Sequence, residues 1–363
     1  MYSIFTELLI LTIKSVGTIN VIEYVFTKNK KVICYLNSPE MKVYITRVIP
    51  DIGLKMMKDE GITVSQWTEK RNMSEEEFIA NCKENDAVIS AGSNNIDKKF
   101  LNECSHLKVI SMYSVGYDNV DIAEATRLKI PVGNTPDVLS AATADVAFLL
   151  MLAVSRRAFF NHKRIINNEW GFYDPTSNLG IELTGCTLGI WGLGKIGSEM
   201  VRRCVGAYNM KVIYCNRNNN IEVEKEFDAK KVSFNELLES SDVLSVHTAL
   251  TSETIGKFNK SAFDKMKNTS IFINTARGGI HNEEDLTEAL KNGSIWGAGL
   301  DVTNPEPMHE DNPLLQMPNV AVLPHIGSAT KQARDGMAVI AAKNIIAGLQ
   351  GKRLPYLVNT DLY

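Results

Sequence analysis

"TLGIWGLGKIGSEMVRRCVGAYNMKVIYCNR" (Thr187–Arg217) decides how the rest of the chain is read. An apolar run, Thr187–Trp191, enters Gly192-Leu193-Gly194-Lys195-Ile196-Gly197; a helical stretch follows, and a second apolar run, Met210–Cys215, ends in Asn216-Arg217. Alone, G-x-G-x-x-G is a weak signal; after a strand, before a helix and inside a βαβ unit it carries weight. Gly192 permits a tight turn, Gly194 lets the backbone approach a pyrophosphate, and Gly197 lets helix and strand pack closely. The helix N-terminus offers free N–H groups and partial positive charge to phosphates. A plain βα turn is the bland alternative, and the context disfavours it.

A chain of this kind usually places an acid about 20 residues on, gripping the ribose 2′-hydroxyl. Here that place holds Asn216, followed by Arg217. Losing the carboxylate removes repulsion toward a 2′-phosphate, and a guanidinium suits forked phosphate contact. The pair therefore points to NADPH. The competing reading keeps NADH, with Asn216 on the ribose hydroxyls and Arg217 solvated. Asn218, Asn219 and Asn220 supply no second cation.

The 363 residues suffice for two domains, and 44% hydrophobic with 22% charged is globular composition. A net charge of -3 argues against nucleic acid or an anionic membrane as partner. The six cysteines form no C-x-x-C pair and read as reduced thiols of a cytoplasmic protein; no metal is expected. Residues 1–29 read as an extension of unknown role. "IFTELLILTI" (Ile4–Ile13) is too short and too interrupted for a membrane span or a signal peptide.

Lys31–Leu36, Asp86–Ser90 and Leu107–Met112 read as buried strands alternating with helices, which implies parallel sheet. Asp145–Phe160 reads as one helix, apolar nearly all round and buried at an interface. A second α/β run carries "CTLGIWG", "MKVIYC", "DVLSVH", "SIFINTA", "WGAGLDV" and "VAVLPH". That alternation matches a doubly wound dinucleotide fold.

Three strand ends downstream of the glycine turn carry chemistry. His325 opens a small-residue loop after "VAVLP", where ligands bind in this architecture. A histidine suits proton donation during hydride transfer to a carbonyl. Glu306, in "TNPEP", would hold the imidazole protonated; it reads equally as a surface loop residue between prolines. Arg277, in "INTARGG", suits the carboxylate of a 2-oxo acid, or a structural ion pair.

Taken together, "GLGKIG", "NTARGG", "GAGLDVTNPEP" and "LPHIGSAT" resemble the D-isomer-specific 2-hydroxyacid dehydrogenase family over about residues 30 to 360. Within it the chain is most similar to the glyoxylate/hydroxypyruvate reductases, through "SVGYDNV", "TPDVLSAATADVA", the Asn-Arg pair and "LDVTNPEP". The resemblance implies two Rossmann-like doubly wound parallel-sheet domains, with the cofactor domain inserted into a discontinuous substrate domain. The expected boundaries are 30–137 with 328–363 for the flavodoxin-like substrate domain and 138–327 for the NAD(P)-binding domain. The implied catalytic set is Arg277, Glu306 and His325. Substrate contacts would come from Arg277, Ser93, the Val115-Gly116 backbone and Trp170 of a neighbouring subunit. Cofactor contacts would come from Gly192–Gly197, Asn216, Arg217, Thr143, Thr275, Asp301 and Gly327. The implied reaction is reduction of glyoxylate or hydroxypyruvate by NADPH, or by NADH, in a homodimer.

Ala249, in "VHTALT", stands where many relatives carry proline, which loosens any reading of the adenine-side loop. A regulated phosphoglycerate dehydrogenase would keep the ribose-binding acid. A formate dehydrogenase would pair its histidine with glutamine. A dinucleotide-sensing transcriptional corepressor of the same fold, or a dehydrogenase for another D-2-hydroxy acid, remains as the alternative.

Overall fold

The computed structural model describes residues 12–16, 19–26, 30–37 and 40–362, and for those before 40 the backbone course only. Strands β1 (Thr12–Val16), β2 (Ile19–Phe26) and β3 (Lys30–Asn37) form an antiparallel sheet in the order β1-β2-β3. This corrects the reading of Lys31–Leu36. The segment is a strand, but it pairs antiparallel with β2 and stands outside the parallel sheets. Only three residues separate β2 from β3 in sequence, and a parallel crossover needs a dozen or more.

The chain divides into two compact units, Met1–Pro136 with Arg334–Tyr363, and Asp137–Ala333. The first unit holds a five-stranded sheet of β4 (Lys42–Ile45), β5 (Thr63–Gln66), β6 (Ala87–Ser90), β7 (Val109–Met112) and β8 (Val132–Gly133). All pairs are parallel, in the order β5-β4-β6-β7-β8. Four helices make the crossovers: Asp51–Asp59, Glu75–Lys83, Lys98–Glu103 and Ile122–Arg127. Strands β6 and β7 are buried throughout, as expected where helices cover both faces. Phe78 stacks on Phe100 with ring centroids 4.4 Å apart in the core they share with Val88 and Ile110.

The C-terminal segment completes this unit. Helix Lys331–Leu349 buries Asn344, whose carboxamide donates to the Asn134 carbonyl (3.1 Å) and accepts from Tyr356 N–H (3.2 Å). Asn359, also buried, accepts from Val132 N–H (2.9 Å) and donates to the Ile130 carbonyl (2.9 Å), closing the free edge of β8. An unpaired buried backbone group is destabilising, and Asn359 satisfies the edge of this two-residue strand together with the chain just before it, where Val358 N–H donates to the Val132 carbonyl and Leu357 bridges Gly133.

The second unit is a seven-stranded, all-parallel sheet in the order β11-β10-β9-β12-β13-β14-β15. Its strands are β9 (Thr187–Trp191), β10 (Lys211–Cys215), β11 (Lys230–Lys231), β12 (Val243–Val246), β13 (Ile271–Asn274), β14 (Gly297–Leu300) and β15 (Val320–Val322). Six follow the expected runs. The seventh, β11, is two exposed lysines and carries no hydrophobic signal. The order reverses between β9 and β12, which is the switch point where ligands bind in such sheets.

Asp145–Phe160 is not one helix. Helix Ser140–Ser155 ends, Arg157 turns left-handed at φ 52°, and a second helix runs Ala158–Ile166. The Arg157 guanidinium lies over the Trp296 ring at 4.7 Å, which holds the break. Ala147, Leu150, Met151 and Val154 of the first helix are buried with Leu188 and Ile190 of β9, so most of its apolar surface is spent inside this unit.

Replacing Asn359 with alanine leaves Val132 N–H and the Ile130 carbonyl unpaired. The expected loss is about 1–3 kcal/mol from the first unit. Urea unfolding followed by separate probes in the two units checks this: the first transition moves to lower urea and the second stays.

Candidate active site

The glycine turn shows why each glycine is there. Gly192 has φ 95°, and a Cβ on it would lie 2.7 Å from the His247 carbonyl carbon. A Cβ on Gly197 would lie 2.7 Å from the Gly192 oxygen. Around Gly194 nothing lies within 4 Å of that position, and Gly194 is the N-cap of helix Lys195–Tyr208, which no side chain caps. An open backbone cradle thus faces uncapped N–H groups, as a pyrophosphate requires. Lys195 pairs with Asp137 at 2.6 Å along a cleft of about 480 Å3 that Gly194, Ser198 and Asn220 also line. Ile196 is half-buried behind it. The Asn220 amide donates to the Leu193 carbonyl at 3.1 Å, lashing the loop after β10 to the turn.

Asn216 is half-buried and Arg217 exposed just beyond β10. The sequence showed no second cation here. The fold supplies one. Strand β11 pairs with β10, Lys231 opposite Tyr214, and the Lys231 ammonium donates to the Arg217 carbonyl and to Asn219 Oδ1, each at 3.0 Å.

Three strand ends converge beyond this turn. At the end of β13, buried Asn274 accepts from Ala276 N–H (3.0 Å), donates to the Arg277 carbonyl (2.9 Å) and lies 3.0 Å from His281 Nδ1. That carboxamide shapes the turn presenting Arg277. A Cβ on Gly278 would sit 1.9 Å from the Thr303 carbonyl oxygen, so the Arg277 loop touches the loop after β14 backbone to backbone. In that second loop, buried Asp301 accepts from Ile326 N–H (2.8 Å) and Gly327 N–H (2.7 Å) of the third. A Cβ on Gly327 would lie 3.2 Å from Thr143 Cγ2, which brings Thr143 into the same cluster. The Thr275 hydroxyl is buried and unpartnered among the described residues. Finally, His325 Nδ1 lies 2.5 Å from Glu306 Oε1.

His325 adopts φ 52°, a conformation a non-glycine residue holds only when its surroundings impose it. Its neighbours Ile326 and Gly327 are the residues clamped by Asp301. Burial pushes the Asp301 carboxyl above the usual range despite its two N–H donors. Burial also acts to raise Glu306, but the hydrogen bond and charge of His325, with Arg277, outweigh it and hold Glu306 below the usual carboxylate value. Burial pushes His247 and His281 down to about 4, so both are neutral at working pH.

The second unit thus gathers Arg277, Thr275, Asp301, Glu306, His325, Gly327 and Thr143. Ser93, Val115 and Gly116 belong to the first unit, after β6 and β7. The Val115 carbonyl accepts from Asn134 Nδ2 (2.8 Å) and the Gly116 carbonyl from the Ser114 hydroxyl (2.6 Å), which fixes that loop. Trp170 stands apart, 71% exposed beside Phe172 and Tyr173. Asn274 and His281 escaped the sequence reading. Asn274 opens the quoted "NTARGG", but nothing in one sequence marks it as the residue that folds the turn.

Residues 148–327 match the family model described as "D-isomer specific 2-hydroxyacid dehydrogenase, NAD binding domain". A glyoxylate reductase of Pyrococcus horikoshii is 41% identical over 325 residues, 88% of this chain and 96% of that one. The chain belongs to the D-isomer specific 2-hydroxyacid dehydrogenase family. It is an NAD(P)-dependent dehydrogenase, and a nicotinamide dinucleotide is its cofactor. The crystal structure of a glyoxylate reductase from Paecilomyes thermophila superposes with a TM-score of 0.79 at 32% identity, covering 88% of this chain and 99% of that one. An NADPH-dependent glyoxylate/hydroxypyruvate reductase from Sinorhizobium meliloti, solved with NADP and malonate, gives 0.76 at 26% identity over 88% and 97%.

The open Gly194 cradle, the uncapped helix and the orphaned Thr275 hydroxyl fit that cofactor. Among the described residues no group of three or more His, Cys, Asp or Glu is placed to hold a metal ion. No helix among them is long and apolar enough to cross a membrane.

The two neutral histidines give a testable acid response. Their folded pKa of about 4 lies below the ordinary 6.5, so the unfolded chain binds more protons between those values. The stability they contribute is full above about pH 6.5 and is lost as pH falls toward 4. Melting temperatures measured across that window fall with pH, and the His247→Gln/His281→Gln double variant shows a shallower fall than the parent.

Proposed function

We propose that the enzyme reduces glyoxylate and hydroxypyruvate to glycolate and D-glycerate, drawing on NADPH in preference to NADH. The observation that carries the chemistry is the 2.5 Å contact between His325 Nδ1 and Glu306 beside the Arg277 turn. With Nδ1 held by the carboxylate, the proton available for transfer sits on Nε2. Glu306 fixes the orientation of the ring. Arg277 binds the substrate carboxylate and polarises its carbonyl. His325 then gives its Nε2 proton to the carbonyl oxygen, leaving a neutral imidazole. Its side chain is 47% exposed, so solvent reprotonates it. The Gly192–Gly197 turn would hold the pyrophosphate of the bound dinucleotide and Asp301, Thr143, Thr275 and Gly327 its nicotinamide end, which would supply the hydride.

The first unit is the proposed substrate-binding domain, with Ser93 and the Val115 and Gly116 N–H groups on the carboxylate. Neither N–H has a protein acceptor among the described residues, while both carbonyls of that pair are engaged. The 2′-phosphate reading rests on Asn216 and Arg217, where no acid opposes a phosphate. A homodimer is supported by Ile165, Ile166, Trp170, Phe172 and Tyr173, an exposed apolar stretch that a second subunit would cover. Cys82, Cys104, Cys186, Cys204 and Cys215 are unpaired thiols, in keeping with a cytoplasmic setting.

Initial rates of NADPH and NADH oxidation with hydroxypyruvate and with glyoxylate test the reading. Faster turnover with NADPH is expected; no turnover with either substrate overturns the substrate assignment, and faster turnover with NADH overturns the cofactor preference. His325→Ala lowers kcat by roughly 10²–10⁴ while dinucleotide affinity, read by titration, stays as in the parent. A parent-like kcat removes His325 from the proton-donor role.

A further inference from the structure

We infer that Lys231, from the edge strand β11, is a second specificity-determining cation for the 2′-phosphate of the dinucleotide, acting beside Arg217. This rests on the NADPH reading above and adds a residue that sequence distance conceals. The strand pairing carries Lys231 to the loop after β10: Ile213 pairs with Lys230 and Tyr214 with Lys231. Its ammonium then bonds the Arg217 carbonyl and Asn219 Oδ1, each at 3.0 Å, which fixes its position in that loop.

The charges make the case. Both acceptors are neutral, and an ammonium has three N–H donors, so one remains for a ligand. Among the described residues no carboxylate lies within ion-pair distance of Lys231 or of the Arg217 side chain. Several other cations of this unit are neutralised by acids, Arg202 by Glu226, Lys260 by Asp264 and Lys267 by Asp242. An ammonium anchored on the backbone of the loop that carries Arg217, with no compensating acid, forms a place where an anion is favoured. Asn216 keeps that place free of the carboxylate that would bind a bare ribose. Successive residues of a strand point to opposite faces, so adjacent Lys230 does not share the position and serves as an internal control.

Binding of adenosine 2′,5′-bisphosphate and of 5′-AMP to the purified enzyme separates the possibilities, because the two differ only at the 2′ position. In the parent the bisphosphate binds more tightly. Lys231→Gln keeps a hydrogen-bond donor and removes the charge; it weakens the bisphosphate roughly tenfold and leaves 5′-AMP unchanged. Lys231→Arg retains the preference, and Lys230→Gln changes neither ligand. An equal loss for both ligands in Lys231→Gln means the lysine only braces the loop, and overturns the inference. So does an unchanged bisphosphate affinity, or an equal effect from Lys230→Gln. A parent with no preference for the bisphosphate removes the NADPH reading itself, and the inference with it.

Discussion

Three strand-end loops of the second unit touch with almost nothing between them, and the candidate active site depends on that closeness. Gly278 abuts the Thr303 carbonyl so tightly that a methyl group has no room. The Asp301 carboxylate bridges to the N–H groups of Ile326 and Gly327. These contacts join the loops after β13, β14 and β15 through backbone or through a buried side chain. Such joints hold the candidate catalytic side chains without relying on their own flexible stems. Arg277, Glu306 and His325 are each partly open to solvent, yet each leaves from a loop that cannot shift alone. Preorganisation of this kind is what an enzyme needs from a scaffold.

Electrostatics in this cluster are divided by depth. Deep in it, His247 and His281 are neutral and Asp301 is pushed toward its neutral form by burial, its charge supported only by backbone donors. Nearer solvent, Glu306 is held ionised against His325. The two buried histidines thus keep their charge state near neutral pH, while the His325–Glu306 pair stands at the solvent side of the cluster. Asn274 links the two layers, with one carboxamide on the Arg277 turn and on the His281 ring.

The sequence was most readable where short-range geometry dictates residue type. Gly192, Gly194 and Gly197 announce a strand–turn–helix because a side chain at two of those positions collides with backbone. The six apolar strand runs of the second unit were visible because strands covered on both faces are apolar throughout. Partner choice was harder to read. Lys31–Leu36 has strand composition, but composition does not say which strand it joins, and the neighbour in sequence won. Strand β11 escaped because two exposed lysines carry no hydrophobic pattern, and with it escaped the proximity of Lys231 to Arg217. Likewise the break after Ser155 falls on Ser155-Arg156-Arg157 between two apolar stretches; there Arg157 lies over the Trp296 ring, a contact 139 positions away in number.

The closure of β8 by Asn359 also has a bearing on synthesis. Strands β4 to β8 leave the ribosome early, but Asn344 and Asn359, which complete that sheet's polar pairing, follow the whole of Asp137–Ala333. The dehydrogenase's dinucleotide unit is contiguous and has all its strands before then. The nascent chain is therefore expected to carry a finished second unit while its first sheet still waits with an open edge, the state in which such a chain is most exposed to wrong pairing.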